Sequence, residues 1–512
     1  MSAAGKPPIA HPGLVTVSVM LATIMQAVDT TIANVALPHM QSAMGATQDQ
    51  ISWVLTSYIV AAAIFMLLTG FLSARLGRKR LFMWSVVGFT IASMLCGAAQ
   101  SLTQLVAFRL LQGVFGACLV PLSQAVLLDS HPRERHASAM ALWGVGVMVG
   151  PILGPTLGGW LTEHLSWRWV FYINLPVGIL AWLGLAAFVQ ETPLDRGRRF
   201  DGLGFGLLVL AIGAFQMMLD RGESQGWFDS AEIVVEALLA ALALYLFLVH
   251  MFTHERPFIE PRLFTDRNFS VGLLLMFFMG AILFSTMALL PPFLHGLLGY
   301  PVIDVGLLLV PRGLGTMAAM FAVGRIGPRI DLRWQILLGM VLTALAMHEM
   351  TQFSLDTSTW DITRTGIVQG LGLGFVFVPL STVAFSTLAP HFRNEGAALF
   401  SLIRNIGASI GISAMVALLA QNTQAGHAAL AEFIHPFSLA LRQAVEVGAH
   451  DLSSAAGLQK LDAEVGRQAA MLAYLQDFRL MMWVALLGIP WIALLRKPAS
   501  PLSAARSPTL AD

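Results

Sequence analysis

Gly144-Val-Gly146-Val-Met-Val-Gly150-Pro151-Ile-Leu-Gly154-Pro155-Thr-Leu-Gly158-Gly159 is the stretch from which the fold is read. It lies inside a long apolar segment, and glycines 146, 150, 154 and 158 recur at every fourth position. On a helix that spacing lines up a stripe without side chains, closed off by Gly159. In lipid, where no hydrophobic force drives helices together, such a stripe lets a second helix approach to backbone distance. Pro151 and Pro155 each remove a backbone donor one turn apart, which bends the helix or leaves carbonyls for a partner to satisfy. The stretch predicts a bent, close-packed membrane helix at a moving seam. Static small-residue packing is the plainer alternative.

Composition points the same way. Of 512 residues, 56% are hydrophobic and only 12% charged, well outside the range of soluble globular chains. A hydrocarbon core about 30 Å thick needs roughly 20 apolar residues per helix. Thirty Lys and Arg against 29 Asp and Glu give no basic excess that would attract nucleic acid. The two cysteines, Cys96 and Cys118, sit in apolar segments and suggest neither a disulfide framework nor a metal site.

Working outward, fourteen spans are predicted, at about 14–36, 53–73, 82–100, 103–127, 138–160, 169–190, 202–220, 231–252, 269–290, 302–323, 334–353, 362–386, 398–420 and 480–496. Arginines and lysines gather after every second span: Arg75, Arg78, Lys79 and Arg80, then Arg133 and Arg135, then Arg196, Arg198 and Arg199, and again at Arg256, Arg325 and Arg393. The positive-inside rule therefore places both termini in the cytoplasm. Residues 421–478 are polar and are read as one long periplasmic loop with short amphipathic helices, for example around Leu439, Leu441, Ala444 and Val445.

The chain also repeats itself. Gln112-Gly113, Val120-Pro121-Leu122-Ser123, Pro132 and Arg135 reappear as Gln369-Gly370, Val378-Pro379-Leu380-Ser381, Pro390 and Arg393. The fold class predicted is an all-α integral membrane protein of two pseudo-symmetric six-helix bundles with two inserted central helices. In these terms 1–13 is a cytoplasmic N-terminus, 14–190 the first bundle and 191–268 the inserted pair with its linkers. Residues 269–496 form the second bundle, including loop 421–478, and 497–512 a cytoplasmic tail. Repeats of this kind suggest alternating access around a site near the midplane. Residues present in one copy only mark specialised chemistry. Asp29 has no acidic counterpart in the ninth span, Arg109 meets the Gly366 region unless Arg364 is its displaced counterpart, and the two Gly-Pro pairs meet Ala408-Ser409 and Ile412-Ser413.

These residues resemble the major facilitator superfamily, and within it the fourteen-helix EmrB/QacA-type drug:proton antiporters. Asp29-Thr-Thr-Ile-Ala-Asn34-Val-Ala-Leu-Pro38 is similar to that group's first-helix signature, and Gly70-Phe-Leu-Ser-Ala-Arg75-Leu-Gly77-Arg78-Lys79-Arg80 to the superfamily's loop motif. Arg109-Leu-Leu-Gln112-Gly113 resembles its fourth-helix motif, and the opening stretch its antiporter motif. EmrB-like members are further resembled at Leu219-Asp220-Arg221-Gly222 with Trp227 and at Leu263-Phe264 through Arg267-Asn268-Phe269. Where the loop motif usually has Asp, this chain has Ala74, which puts its charge relay in question.

The resemblance implies that the first and fourth helices line a central cavity. At 1.5 Å per residue, Asp29 and Arg109 lie about 10 Å and about 9 Å below the outer ends of their spans, so they share a depth. An unpaired charge at the bilayer centre costs about 2.5–3.5 kcal/mol. Asp29 is therefore the candidate proton and cation site, with Arg109 tuning it, and a static ion pair is the alternative. Gly70, Arg75, Gly77, Arg78 and Lys79 are candidates for a cytoplasmic gate. Asn34, Trp53, Tyr58, Gln112 and Arg312 are candidate cavity residues, and aromatics with the 25 methionines suit adaptable packing around lipophilic cations. Arg404 is read as snorkelling to the inner face.

A proton-coupled exporter of lipophilic or toxic compounds follows, powered by the proton gradient without any bound cofactor or metal. The setting expected is a bacterial inner membrane. No phosphate-binding glycine loop with a following Lys is present, so ATP-driven transport is not expected. The thirteen histidines are scattered, which speaks against a membrane-embedded enzyme. The nearer alternative is export of one endogenous compound such as a fatty acid, siderophore or antibiotic. Partners expected are small lipophilic molecules, protons and membrane lipid. The resemblance adds a periplasmic adaptor and an outer-membrane channel, which loop 421–478 would meet.

Overall fold

The computed structural model describes residues 12–132, 135–192, 194, 200–326, 330–389, 392–435 and 454–496, and all its regular structure is helical. With broken helices taken as one unit, the order begins α1 (Pro12–Met44), α2 (Gln48–Met66, then Leu68–Leu76), α3 (Arg78–Ala98), α4 (Leu102–Gly116, then Leu119–Ser130) and α5 (His136–His164). Next come α6 (Trp169–Tyr172, then Asn174–Phe188), α7 (Gly202–Arg221), α8 (Ala231–Thr253), α9 (Arg267–Pro292) and α10 (Val302–Ile326). The last four are α11 (Leu332–Met350), α12 (Thr359–Ser386), α13 (Arg393–Ala431) and α14 (Ala455–Ile492).

Among the described residues, twelve helices are long and apolar enough to cross a membrane, and α2, bent by 56° at Leu67, makes a thirteenth. The 19-residue α11 falls short in composition because Arg333, Gln335, His348 and Glu349 crowd its two ends. Starts are set by short polar side chains that accept orphan backbone donors. Thr47 and Gln50 form a capping box on α2, Ser101 caps α4, Asp266 caps α9 and Ser454 caps α14. Large apolar side chains such as Trp84, Phe252 and Trp483 stay exposed on the outside, as a lipid-facing surface requires.

Pairings in the first part of the chain recur in the second. α1 packs on α5 and α9 on α13, α2 on α4 and α10 on α12, and α3 on α4 and α11 on α12. Between the two sets, α5 meets α10 and α12, while α13 meets the second parts of α2 and α4. The helix α7 lies against α2 and α13, with Ser409 Oγ donating to Gln216 Oε1 at 2.8 Å and Ser413 Oγ to the Leu219 carbonyl at 3.0 Å.

The structure differs from the sequence reading at 421–478. Instead of a loop starting at 421, α13 runs on to Ala431 and the last helix starts at Ala455. At 1.5 Å per residue, the 39 residues of α13 span about 58 Å, well beyond a hydrocarbon core of about 30 Å. The polar stretch is thus largely the projecting part of two helices, held together by His427 Nε2 against Asp462 Oδ1 at 3.0 Å. Polarity over most of it reflects water around helices that run on beyond the length of a membrane core. Leu439, Leu441, Ala444 and Val445 lie outside the described residues.

Candidate functional site

Asp29 sits mid-way along α1 with its side chain wholly buried, and three donors converge on it. Arg109 Nη1 donates to Oδ2 at 2.8 Å, while Gln112 Nε2 and Asn174 Nδ2 both donate to Oδ1 at 2.8 Å. Arg109 is equally enclosed. Its Nε donates to the Val54 carbonyl at 3.1 Å, Nη1 also reaches Gln112 Oε1 at 2.7 Å, and the guanidinium lies 4.3 Å from the Tyr58 ring centroid. Asn174 Nδ2 also reaches Ser93 Oγ at 2.9 Å. The carboxylate is therefore compensated by one charge and two amides within the packing of α1, α2, α3, α4 and α6.

The helical spacing of Arg109 and Gln112 puts both on one face of α4, and Gly113 on the same turn lets α4 come so close to α2 that an added Cβ would meet the Tyr58 carbonyl at 2.5 Å. Asn174 and Ser93 were invisible to sequence reasoning, because one small polar residue in an apolar helix looks like ordinary packing. Tyr58 is buried beneath Arg109. By contrast, Trp53 is 39% exposed on α2, and Asn34 is exposed with its amide on the Thr30 carbonyl, so neither belongs to this network.

The glycine stripe of α5 packs on α1. A Cβ at Gly150 would fall on the Ala27 carbonyl, one at Gly154 on Thr31, one at Gly158 on Ile32 and one at Gly146 on Met20. Thr31 Oγ1 donates to the Gly150 carbonyl at 3.0 Å. Gly159 has nothing within 4 Å and is not part of the contact. The stripe thus seals α1 to α5, and the seam toward α10 is made by another face of α5, with Gly144 against Met320 and Ile152 against Gly313. The helix runs through 151 and 155, but the side chains of Pro151 and Pro155 lie outside the described residues.

At the arginine-rich end, Gly77 takes φ +90° between α2 and α3, a conformation that L side chains rarely adopt. Glu191 then caps α3, accepting from the backbone of Lys79 at 3.0 Å and Arg80 at 3.2 Å. Asp129 is shared by two guanidiniums: Arg78 Nη1 on Oδ2 and Arg393 Nη1 on Oδ1, each at 2.5 Å. Asp129 thus supplies the carboxylate for Arg78 that Ala74 cannot, and Arg393 ties the end of α4 to the start of α13. Lys79 Nζ donates to the Ala186 carbonyl at 2.6 Å. Gly70 lies tight against Glu395 of α13, with an added Cβ 3.3 Å from its Cα. Arg75 stands apart, exposed, with its guanidinium 5.9 Å from the Phe71 ring. Nearby, Asp201 accepts from Gly204 N and Phe258 N at 2.9 Å and faces His250 Nε2 at 3.0 Å. Burial pushes this carboxyl up, but those bonds outweigh it and hold it below the usual carboxylate range.

A cavity opens between α5 of the first set and α9, α10, α12 and α13 of the second, lined by Met148, Met276, Met279, Met320, Phe377 and Arg404 among others. Arg404 does not snorkel. Its guanidinium has Nη2 on Asn405 Oδ1 at 3.4 Å and Nε buried without a partner among the described residues, and Gly280 lets α9 close directly on the Arg404 backbone. Arg312 Nη2 donates at 3.2 Å to the carbonyl of Leu283, a residue lining that cavity, and has no carboxylate partner among the described residues.

A family model described as Major Facilitator Superfamily matches residues 19–412. The chain is 35% identical over 432 residues to the multidrug export protein EmrB of Escherichia coli (strain K12), covering 83% of each. It is 34% identical over 493 residues to the fatty acid resistance protein FarB of Neisseria gonorrhoeae, covering 95% of this chain and 97% of the other. Among solved structures, the proton:xylose symporter XylE matches 96% of this chain and all of its own at TM-score 0.62 and 12% identity. The human organic anion transporter MFSD10 matches 94% and all of its own at 0.58 and 16%. At those identities the likeness concerns the fold.

Proposed function

The chain belongs to the major facilitator superfamily, and from that premise we propose that it is a proton-coupled antiporter exporting lipophilic or toxic compounds by alternating access. It is a multi-pass membrane transporter rather than an enzyme, as its relatives are. The observation that supports the proton-coupled reading is the enclosed Asp29–Arg109 pair, a buried carboxylate whose compensation would change if α1 and α4 parted. In the cycle proposed, release of the Asp129–Arg393 tie and of the α5–α10 contacts opens the cytoplasmic end, α1 and α4 part, and Asp29 exchanges its proton as Arg109 withdraws. The finer architecture belongs to the same proposal: fourteen spans in two six-helix bundles with α7 and α8 inserted, and both termini on the cytoplasmic side of a bacterial inner membrane. The α13–α14 projection would then stand in the periplasm, where an adaptor leading to an outer-membrane channel would dock.

Uptake of a fluorescent lipophilic cation into inverted vesicles under an imposed proton gradient tests the reading. Gradient-dependent uptake is expected in the wild type and its loss in Asp29→Asn. Coupling that survives the substitution would remove Asp29 from the cycle. A second reading, export of one amphipathic acid, is favoured by Arg404 in the methionine-lined cavity and by the relative named for fatty acid resistance. It predicts that a long-chain fatty acid is transported and the cation is not, and that Arg404→Gln abolishes this transport.

A further inference from the structure

We propose that Asp477 of α14 is a second proton-carrying site of this transporter, occupied by a proton in this conformation. The proposal rests on the proton-coupled reading above and adds a carboxyl in the half of the chain that lacks a counterpart of Asp29. Asp477 is 1% exposed. Among the described residues it makes no hydrogen bond or ion pair, and its Oδ2 is buried without a partner.

Among the described residues, no cation on the neighbouring helices reaches it. On α13, Arg404 bonds Asn405, His427 faces Asp462 and Arg393 holds Asp129, while the Glu395 carboxylate accepts from Glu260 N. On α11, Arg333 bonds Asp331, Glu349 accepts from Thr365 and His348 is exposed. After α9, His295 faces the Tyr300 carbonyl, and Arg267 at its start is exposed. On α14 itself Arg467 donates to the Leu297 carbonyl, Arg479 is exposed, and Tyr474 is the neighbouring titratable group. An ionised carboxylate without a partner is strongly disfavoured in such surroundings, and the proposed site holds a proton instead.

The repeat places Thr286, not this acid, at the position of Asp29, and Asp477 lies close by in sequence on the helix that meets Thr286. The interval that carries Gln112 to Gln369 also carries Asp29 to Thr286. Gln369 Nε2 donates to Thr286 Oγ1 at 3.0 Å, as Gln112 Nε2 does to Asp29. Thr286 in turn contacts Met481 Sδ at 3.7 Å, and Asp477 stands one turn before Met481 on the same helix. Counting 1.5 Å per residue from the arginine-rich end, Asp477 lies about 22 Å along α14 and Asp29 about 25 Å along α1. The second copy therefore keeps the amide, replaces the acid by a hydroxyl and carries its carboxyl on the adjoining helix, without an arginine. Gln369 Oε1 and Ser285 Oγ are also buried without partners among the described residues. The step is a simple protonation: one proton binds a carboxylate oxygen of Asp477 and leaves when the helices rearrange.

Infrared difference spectra of the full-length protein in liposomes, with and without the transported fluorescent cation, read this protonation directly. A carboxylic-acid C=O band that changes with the cation, is absent in Asp477→Asn and persists in Asp29→Asn is expected. A band that Asp477→Asn leaves in place, or one that the cation does not move, would overturn the proposal. In vesicles, Asp477→Asn should lower gradient-driven accumulation at least tenfold while cation exchange without a gradient continues. Should the Asn variant not fold, Asp477→Glu must shift the band rather than abolish it, and an unshifted band overturns the assignment. A wild type whose transport ignores the proton gradient would defeat the antiport reading itself. A wild type that is proton-driven with an Asp477→Asn variant of equal accumulation would defeat only the role of Asp477.

Discussion

Arg393→Ala should loosen the arginine-rich end, and the size of the effect follows from how Asp129 is shared. Arg78 and Arg393 each hold one oxygen of Asp129, but only the Arg393 arm crosses from α4 to α13. Removing it leaves Asp129 paired with Arg78, so no charge is stranded. The side chains of Arg393 and Asp129 are 11% and 20% exposed, too enclosed for the near-zero value of a surface pair. A charge-assisted bond contributes about 1.5–3 kcal/mol, which corresponds to roughly a 10- to 150-fold fall in the ratio of closed to open forms. Ala398, 3% exposed in the crevice with Gly70 and Phe71, reports that opening once it is replaced by cysteine. Cys96 and Cys118 are buried and serve as a quiet background. Labelling of Ala398→Cys by a bulky maleimide in inverted vesicles should be slow in the parent and at least several-fold faster with Arg393→Ala added. Equal rates in the two would refute the reasoning and leave Arg393 as a topology signal alone.

Three further outcomes are expected in thermal unfolding of the purified protein in detergent. Gly150→Ala puts a methyl on the Ala27 carbonyl and should lower stability by about 1–3 kcal/mol, whereas Gly159→Ala, with nothing within 4 Å, should stay within about 0.5 kcal/mol; equal losses would discard the stripe. Arg109→Ala strands the buried Asp29 carboxylate and should cost about 3–5 kcal/mol, most of which adding Asp29→Asn restores; additive losses would mean the two are uncoupled. The Asp201 carboxyl, held low when folded, contributes stability in full above its unfolded value of about 3.9 and loses it as pH falls through the lower folded value. Asp201→Asn should therefore unfold earlier at neutral pH and show a shallower decline below about pH 4. An identical acid limb would exclude Asp201 as its cause.

What could be read from sequence was what costs most in a membrane. A full charge in an apolar run is conspicuous, so Asp29 and Arg109 stood out, and their common depth together with the family resemblance pointed to the contact that the structure shows. Gln112 came with them through its motif. Asn174 and Ser93 cost too little in a helix to stand out, although they complete the shell around the carboxylate. Arg393 was visible only as one of many inside arginines. Its bond to Asp129 depends on how α13 lies against α4, which no local pattern encodes.

Asp477 was hidden for a different reason. Polarity over 421–478 reads as a loop, and a carboxylate in a loop needs no explanation. Once α14 is seen to begin at Ala455 and to run on without a break, the same residue sits inside a span, at the depth of Asp29. Periodicity alone does not reveal this, because a helix that leaves the membrane changes its composition without changing its backbone. The repeat concealed the link as well. A comparison that looks for an acid opposite Asp29 passes over Thr286, whose hydroxyl takes the matching amide bond from Gln369 while the acid stands on α14. Function in a two-fold transporter is thus better sought in corresponding bonds than in corresponding charges, because a group that gains and loses a proton can move to a neighbouring helix as long as its depth in the membrane is kept.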